Sequence, residues 1–258
     1  MDNRNKYIGF FTIFNRELGR FFTLYKQTIL PSIVTSSLYL FIFGIALQSR
    51  IGEIKGVSYL QFILPGLAMM AVINNGYSNT ASSLYQAKQL SFIEDILIAP
   101  ISATEAALAY ILGGATRGFI NGSIILILGT IAFHIHLHSI LLTFVLMAVV
   151  SIAFSAIGLI FGLQAENWDH VMLLVTFAIT PLVYVGGVFY SIEMLPAKWL
   201  ETASLFNPLY YMVNGLRYGT LGVYDTSPVW SIVMAVALTG ISFAIGVYLF
   251  YRGYKIKS

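Results

Sequence analysis

Pro181-Leu182-Val183-Tyr184-Val185-Gly186-Gly187-Val188-Phe189-Tyr190 leads, after a polar turn, into Pro196-Ala197-Lys198-Trp199-Leu200 and then Phe206-Asn207-Pro208-Leu209-Tyr210-Tyr211 and Gly215-Leu216-Arg217-Tyr218-Gly219. A long apolar run ends here without entering an ordinary solvent loop. The two segments that follow are each too short to cross a bilayer core, which takes about 20 residues of helix. Each carries a helix-start signal: Pro196 suits a first helical position, and Asn207-Pro208 sets an N-cap residue before one. In the second segment Leu209, Met212, Val213 and Leu216 fall on one face, with Asn214 and Arg217 off it. The pattern predicts short interfacial or re-entrant helices before a last span. Broken backbone at membrane depth is tolerated only where protein or a water-filled cavity covers it. The stretch therefore reads as a gate or exit.

Working outward, the 258-residue chain as a whole is 58% hydrophobic and only 10% charged. A soluble domain carries about 25% charge, so this is an integral membrane protein with no room for a large soluble domain. Aromatics, at 15%, suit Tyr and Trp at two membrane interfaces. The absence of Cys excludes disulfides and thiolate metal sites. No cleavable signal peptide is evident, since the first apolar run begins near Ile29.

Residues 1–27 repeat Tyr7, Phe10, Phe11, Phe14, Leu18, Phe21, Phe22 and Tyr25 at helical spacing, with Thr12, Arg16, Arg20, Thr23 and Gln27 opposite. That pattern predicts a helix lying in the headgroup plane. Six spans follow, near 29–47, 60–83, 106–133, 140–163, 171–190 and 229–251, so the expected fold is all-α with both termini on one side. With the termini inside, the inner segments hold Arg4, Lys6, Arg16, Arg20, Lys26, Lys88, Arg252, Lys255 and Lys257, against Arg50, Lys55, Lys198 and Arg217 outside. The positive-inside rule then places both termini in the cytoplasm and the opening stretch on the outer face.

Leu64-Pro65-Gly66 marks a kink in the second span, and Asn74, Asn75, Ser78 and Asn79 make its inner half polar. The inner loop 86–105 holds Lys88 and Ser91-Phe92-Ile93-Glu94-Asp95-Ile96-Leu97-Ile98-Ala99-Pro100. Acidic residues in its first turn and Pro100 at its end predict a short helix, lying flat on lipid or seated in a partner. In the third span Gly114, Gly118 and Gly122 form a small-residue ridge for close helix packing. Arg117 beside it must face protein or an aqueous cavity. His134, His136 and His138 alternate between spans three and four; they could share one face for Zn²⁺ or Cu²⁺, but a solvated turn is the preferred reading.

Energising chemistry is missing. Phe119-Ile120 stand where a phosphate-binding loop needs Lys-Ser/Thr, and neither a His-Glu-x-x-His helix nor a Gly-x-Ser-x-Gly elbow occurs. No span holds the paired carboxylates of a proton-driven pump. What remains is a permease without its own energy source, or else a passive channel or scaffold. An enzyme built on the three histidines is a third reading.

The motifs Leu64-Pro65-Gly66, Ile93 to Pro100, Gly186 to Tyr190, Leu195-Pro196 and Asn207 to Gly222, in that order and spacing, resemble the membrane subunits of type-2 ATP-binding-cassette (ABC) exporters, and among them the YadH-type bacterial inner-membrane permeases. The resemblance covers essentially the whole chain as one transmembrane domain, with residues 1–27 as connecting helix, 86–105 as coupling loop and 191–228 as outer helical hairpin. It implies a homodimer powered by a separate YadG-type ABC ATPase, which would carry the ATP and Mg²⁺, so this chain holds no catalytic, cofactor or metal site. It further implies ATPase coupling by Lys88, Ser91, Phe92, Glu94, Asp95 and Leu97. Tyr184, Phe189, Tyr190, Tyr210, Tyr211 and Arg217 stand as pathway or gate candidates. Bacterial inner membrane, lipid contact and no nucleic acid complete the expectation, with an amphipathic or lipid-linked cargo or a drug as substrate.

Overall fold

The polar helix Tyr59–Gln89, not one of the most apolar ones, is the axis of the molecule. In the computed structural model, which describes residues 7–253, the chain forms ten helices that we number in order. They are α1 (Ile8–Thr23), α2 (Tyr25–Gln48), α3 (Tyr59–Gln89), α4 (Phe92–Ile98), α5 (Ala103–Ala132), α6 (Ile140–Gln164), α7 (Trp168–Val185), α8 (Lys198–Phe206), α9 (Pro208–Leu221) and α10 (Pro228–Tyr251). Arg4, Lys6, Lys255 and Lys257 of the orientation count lie outside the described residues.

Helices α2, α5, α6, α7 and α10 are long and apolar enough to cross a membrane. Helix α3 has 31 residues, about 46 Å at 1.5 Å per residue, but its Asn- and Ser-rich half keeps it out of that set. Packing explains the polarity: α3 makes its largest contacts with α5 and α6 and also meets α9. Polar side chains there are bonding groups between helices. Pro65 sits within this continuous helix.

Close approach along α3 depends on the glycines of α5. A Cβ on Gly118 would lie 2.7 Å from the Val72 carbonyl oxygen, and on Gly114 or Gly122 it would lie 3.1 Å from the carbonyl oxygens of Gly76 or Ala68. Ser151 and Ser155 of α6 close the seam by donating to the carbonyls of Ala115 and Ile111, at 2.6 and 2.5 Å.

Local signals set most helix ends. Ser58 and Ser102 form capping boxes with Gln61 and Glu105. The hairpin β1 (Glu53–Ile54) to β2 (Val57–Ser58) turns through Lys55 and Gly56, both at positive φ, the conformation of a two-residue hairpin loop. Helices α2 and α7 each contain a π-helical stretch, Leu40–Ile45 and Val175–Ile179.

Three expectations need correction. The span expected to reach Tyr190 ends at Val185, because Gly187 takes φ +74° and turns the chain. Helix α8 begins at Lys198 rather than Pro196, with Ala197 extended before it. In α1 the buried residues are Ile13, Glu17 and Phe21, so the expected two faces are not cleanly divided: Tyr7, Phe11, Phe22 and Tyr25 are exposed, Arg20 reaches into the bundle, and Arg16 bonds Tyr110 from an exposed position.

Gly118→Val tests the seam. Overpacking of a tight contact costs about 1–3 kcal/mol, so the variant in detergent is expected to melt below the wild type. Gly240→Ala, where an added Cβ meets nothing within 4 Å, is expected to leave the melting temperature unchanged.

Candidate functional site

Two ends of the bundle carry the residues of interest. At one end α4 leaves α3 through Ser91, whose left-handed backbone (φ 58°) turns the chain. Ile93 is buried in a core with Ile13 of α1, Leu84, Ala107 and Tyr110. Phe92, Glu94 and Asp95 are exposed on the other side. The side chain of Leu97 lies outside the described residues. Lys88 points elsewhere: its ammonium donates to the carbonyls of Leu163 (2.7 Å) and Ala165 (3.1 Å), the C-terminus of α6, where a cation is favoured. Between α1 and α4 lies a groove of about 540 Å³, walled by Ile8, Thr12, Arg16, Phe92, Asp95 and Ile96. It is apolar in its walls with one charge of each sign on its rim.

At the other end, Leu64-Pro65-Gly66 meets Gly186-Gly187-Val188. A Cβ on Gly66 would lie 2.9 Å from the Val188 Cα. Asn207 caps α9 by accepting from the Leu209 amide at 3.0 Å, with Pro208 at the first turn. Leu209, Met212, Val213 and Leu216 are buried, but so are Asn214 and Arg217, so α9 is enclosed on both faces.

Arg217 is fully buried. Its guanidinium stacks on the Phe62 ring at 3.8 Å and donates to the Gly187 carbonyl at 2.6 Å. Asp225 stands 3.7 Å away. That carboxylate accepts from the Ser191 hydroxyl (2.6 Å), the Ile192 amide (3.2 Å) and the Lys55 ammonium (2.9 Å). Asn214 fixes the loop by accepting from the Asp225 amide at 2.8 Å and donating to the Thr226 carbonyl at 2.8 Å. Arg217 thus ties segments of the protomer together.

The aromatic candidates divide. Tyr184 and Phe189 face α2: Tyr184 and Tyr39 hydroxyls are 2.7 Å apart, and Phe189 packs on Phe43 and Tyr39 at 4.7 and 5.7 Å between centroids. Tyr184 is exposed. Tyr190 donates to the Val185 carbonyl at 2.7 Å and closes the turn. Tyr210 is buried, with half-buried Tyr211 edge-on to it.

Arg117 lies midway along α5 and donates to the Asn75 and Asn79 side-chain oxygens at 3.2 and 3.4 Å. Asn79 also accepts from Arg20 at 3.1 Å, and Arg20 bonds the buried Glu17. The three histidines between α5 and α6 are exposed, and His138 packs on Tyr218. Among the described residues no group of three His, Cys, Asp or Glu could hold a metal. Sequence reasoning missed Glu17, Tyr39 and Asp225. The Glu17–Arg20 spacing was a usable signal, as was the need of Arg217 for an anion.

Known sequences fit this geometry. The ABC-2 type transporter family pattern matches residues 9–221. The chain is 38% identical over 247 residues to the inner membrane transport permease YadH of Escherichia coli K12, covering 96% of each. It is 23% identical over 196 residues to nodulation protein J of Rhizobium leguminosarum bv. viciae, 76% of this chain and 75% of that one. A similar protein J of Rhizobium meliloti is 22% identical over the same length.

The Lys55–Asp225 latch sets a pH window. Burial pushes the Asp225 carboxyl up, but the Ser191 hydroxyl, Arg217, Lys55 and the Ile192 amide together hold it below the usual carboxylate value. Its contribution is therefore complete above the unfolded value, about 3.9, and is lost as pH falls through the lower folded one. Burial lowers the Lys55 value, yet hydrogen bonds to Asp225 and Glu193 leave it raised, so its share is lost only above the ordinary lysine range. Asp225→Asn at neutral pH strips Arg217 of its anion, a loss of about 3–5 kcal/mol for a buried pair. Its melting temperature is expected to fall below wild type at pH 7, and the gap is expected to close as pH drops below about 4. A gap unchanged by acid would show that the carboxylate charge is not what holds the latch.

Proposed function

The chain belongs to the ABC-2 type transporter family, and we propose that it is the membrane-spanning subunit of an ATP-driven exporter that works as a homodimer with a separate ABC ATPase. The observation that carries this reading is α4. Its inner side is anchored by Ile93, while Phe92, Glu94 and Asp95 stand free beside the α1 groove. A rigidly seated helix with an acidic exposed face suits transmission of force from a soluble partner. Ser91 and Lys88 then set its angle rather than touch the ATPase.

In this reading α3 is the sixth crossing, its polar half covered by α1 and α5. Both termini and α4 lie in the cytoplasm of a bacterium, and α8 and α9 form a re-entrant hairpin on the outer side. The name of the relative at 38% identity, an inner membrane transport permease, supports the location. Helices α2 and α7 bury little surface within the protomer, which leaves a long face for a second copy. The aromatic pair Tyr184 and Phe189, on that exposed side, suits an amphipathic cargo passing outward between protomers.

Reversing charge on α4 separates coupling from folding. Glu94→Arg with Asp95→Arg is expected to leave membrane insertion and dimer size unchanged while abolishing co-purification of the ATPase and at least about 90% of export, as expected when a charged contact worth about 1.5 kcal/mol or more is replaced by repulsion. Full export by the double variant would reject the coupling role.

Tyr184→Ala and Phe189→Ala are expected to lower export several-fold with ATPase binding intact. Normal transport by both would remove the aromatic pair from the pathway.

A further inference from the structure

A second feature lies at membrane depth, away from the coupling face and the outer latch. Two clefts, of about 240 and 150 Å³, share Gln27, Thr28 and Arg117 and form one polar track between α2, α3 and α5. Ser32, Thr35 and Ser36 of α2 face Asn74, Asn75 and Ser78 of α3 across it. Arg117 stands at the middle of a helix apolar enough to span a bilayer.

Charge in this region does not balance. Arg16 and Arg20 both bond Glu17, at 3.2 and 3.3 Å, and among the described residues no carboxylate contacts Arg117. Three guanidiniums therefore share one carboxylate. Arg20 and Arg117 converge on the same acceptor, the Asn79 Oδ1, at 3.1 and 3.4 Å. Uncompensated positive charge at bilayer depth is costly, and two cations do not gather on one amide oxygen without some use for the charge.

Hydrogen bonding points the same way. Because Asn79 Oδ1 must face the guanidiniums, its amide nitrogen is directed elsewhere. That nitrogen belongs to a side chain only 1% exposed, yet it has no partner, and neither does Arg20 Nε. Asn79 and Arg20 line the smaller cleft. Unpaired donors beside excess positive charge are the complement of an acceptor-rich anion. The orphaned Asn74 Oδ1 at the other end of the track is an acceptor and suits a hydroxyl.

We infer that this cleft binds the phosphate-bearing, hydroxyl-carrying headgroup of an amphipathic ligand, the phosphate between Arg117, Arg20 and Asn79 and the hydroxyls toward Asn74 and the serines of α2. The chemistry is common to a resident anionic phospholipid and to a lipid-linked cargo. Only the onward passage of the ligand rests on the exporter reading; binding itself needs no ATPase.

The experiment uses the full chain purified in neutral detergent and offered phosphatidylglycerol or phosphatidylcholine, with retained lipid counted by native mass spectrometry. Wild type is expected to retain phosphatidylglycerol in preference. Arg117→Gln is expected to weaken that retention about tenfold, the effect of one charge-assisted hydrogen bond, while Arg117→Lys keeps most of it. Thr35→Trp, at the exposed edge of the cleft, plugs the track without altering charge and is expected to lose binding with its melting temperature unchanged. Displacement by glycerol 3-phosphate would show that the headgroup suffices; displacement only by another anionic lipid would assign the site to bilayer lipid. Equal retention of both lipids by wild type, or undiminished phosphatidylglycerol in both Arg117→Gln and Thr35→Trp, would overturn the inference. Either result would leave the ATPase-coupling test untouched.

Discussion

The burial of one guanidinium governs the end of the bundle that holds α8 and α9. Arg217 has no exposure to solvent, so each group around it has to compensate for lost hydration. The Phe62 ring, the Gly187 carbonyl and the Asp225 carboxylate share that task. They come from α3, the turn after α7 and the loop before α10, so satisfying one charge fixes three segments at once. Gly187 contributes through its positive φ, which turns its carbonyl back toward α9. Asp225 extends the constraint to the hairpin through Lys55 and, through Ser191 and Ile192, to the 3₁₀ turn Ile192–Met194. A buried pair of this kind is weak evidence for stability but strong evidence for a fixed arrangement.

The end that holds α4 follows the opposite scheme. There the organising element is an apolar core in which Ala106, Ala107 and Ala109 sit among larger groups, Ile13, Ile93, Tyr110 and Leu159, drawn from α1, α4, α5 and α6. Force applied to α4 enters a packed body, because Ile93 is a knob in that core rather than a residue on lipid. Charged groups of α1 connect the same region to α3 through Glu17, which accepts from Ser83 at 2.7 Å. The two ends are joined along α3, whose polar and glycine-facing surfaces leave little room for independent movement.

Local chemistry made much of this legible. Asn207-Pro208 foretold the start of α9, Pro100 the end of α4, and the apolar runs located the five long apolar helices, within one residue for α6 and α10 and with ends displaced by up to five residues for α2 and α7. Composition alone identified a membrane protein, and the order of motifs pointed to the family that sequence comparison shows. What periodicity could not supply was the partner of each buried polar group. Arg20 reaches Asn79, and Lys55 reaches Asp225 across most of the chain. A helical wheel of α1 separates aromatic from charged residues correctly but cannot say which stripe faces protein. Neither stripe does so alone: Ile13, Glu17 and Phe21 are the buried residues of α1, so the face toward protein mixes apolar, aromatic and charged side chains, and Arg20 finds its partners inside. The extended Leu195-Pro196 shows the complementary limit, since a proline able to start a helix is equally at home two residues before one.

The polar stripe of α3 also bears on how the chain is made. Asn75 and Asn79 accept from Arg117, and Thr80 lies 3.4 Å from the Tyr110 carbonyl, so these bonds come from a helix synthesised after α3. A nascent α3 leaving the ribosome has Arg20 of α1 for Asn79 and Ser32 of α2 for Asn75, but not Arg117 of α5, so the Asn75 side-chain oxygen would still lack its donor. Lateral release into the bilayer is then favourable only as a hairpin, with α4 as the short hinge between the two arms. Biogenesis of this protein thus becomes a matter of timing, in which the central helix is fully secured only once α5 has followed it.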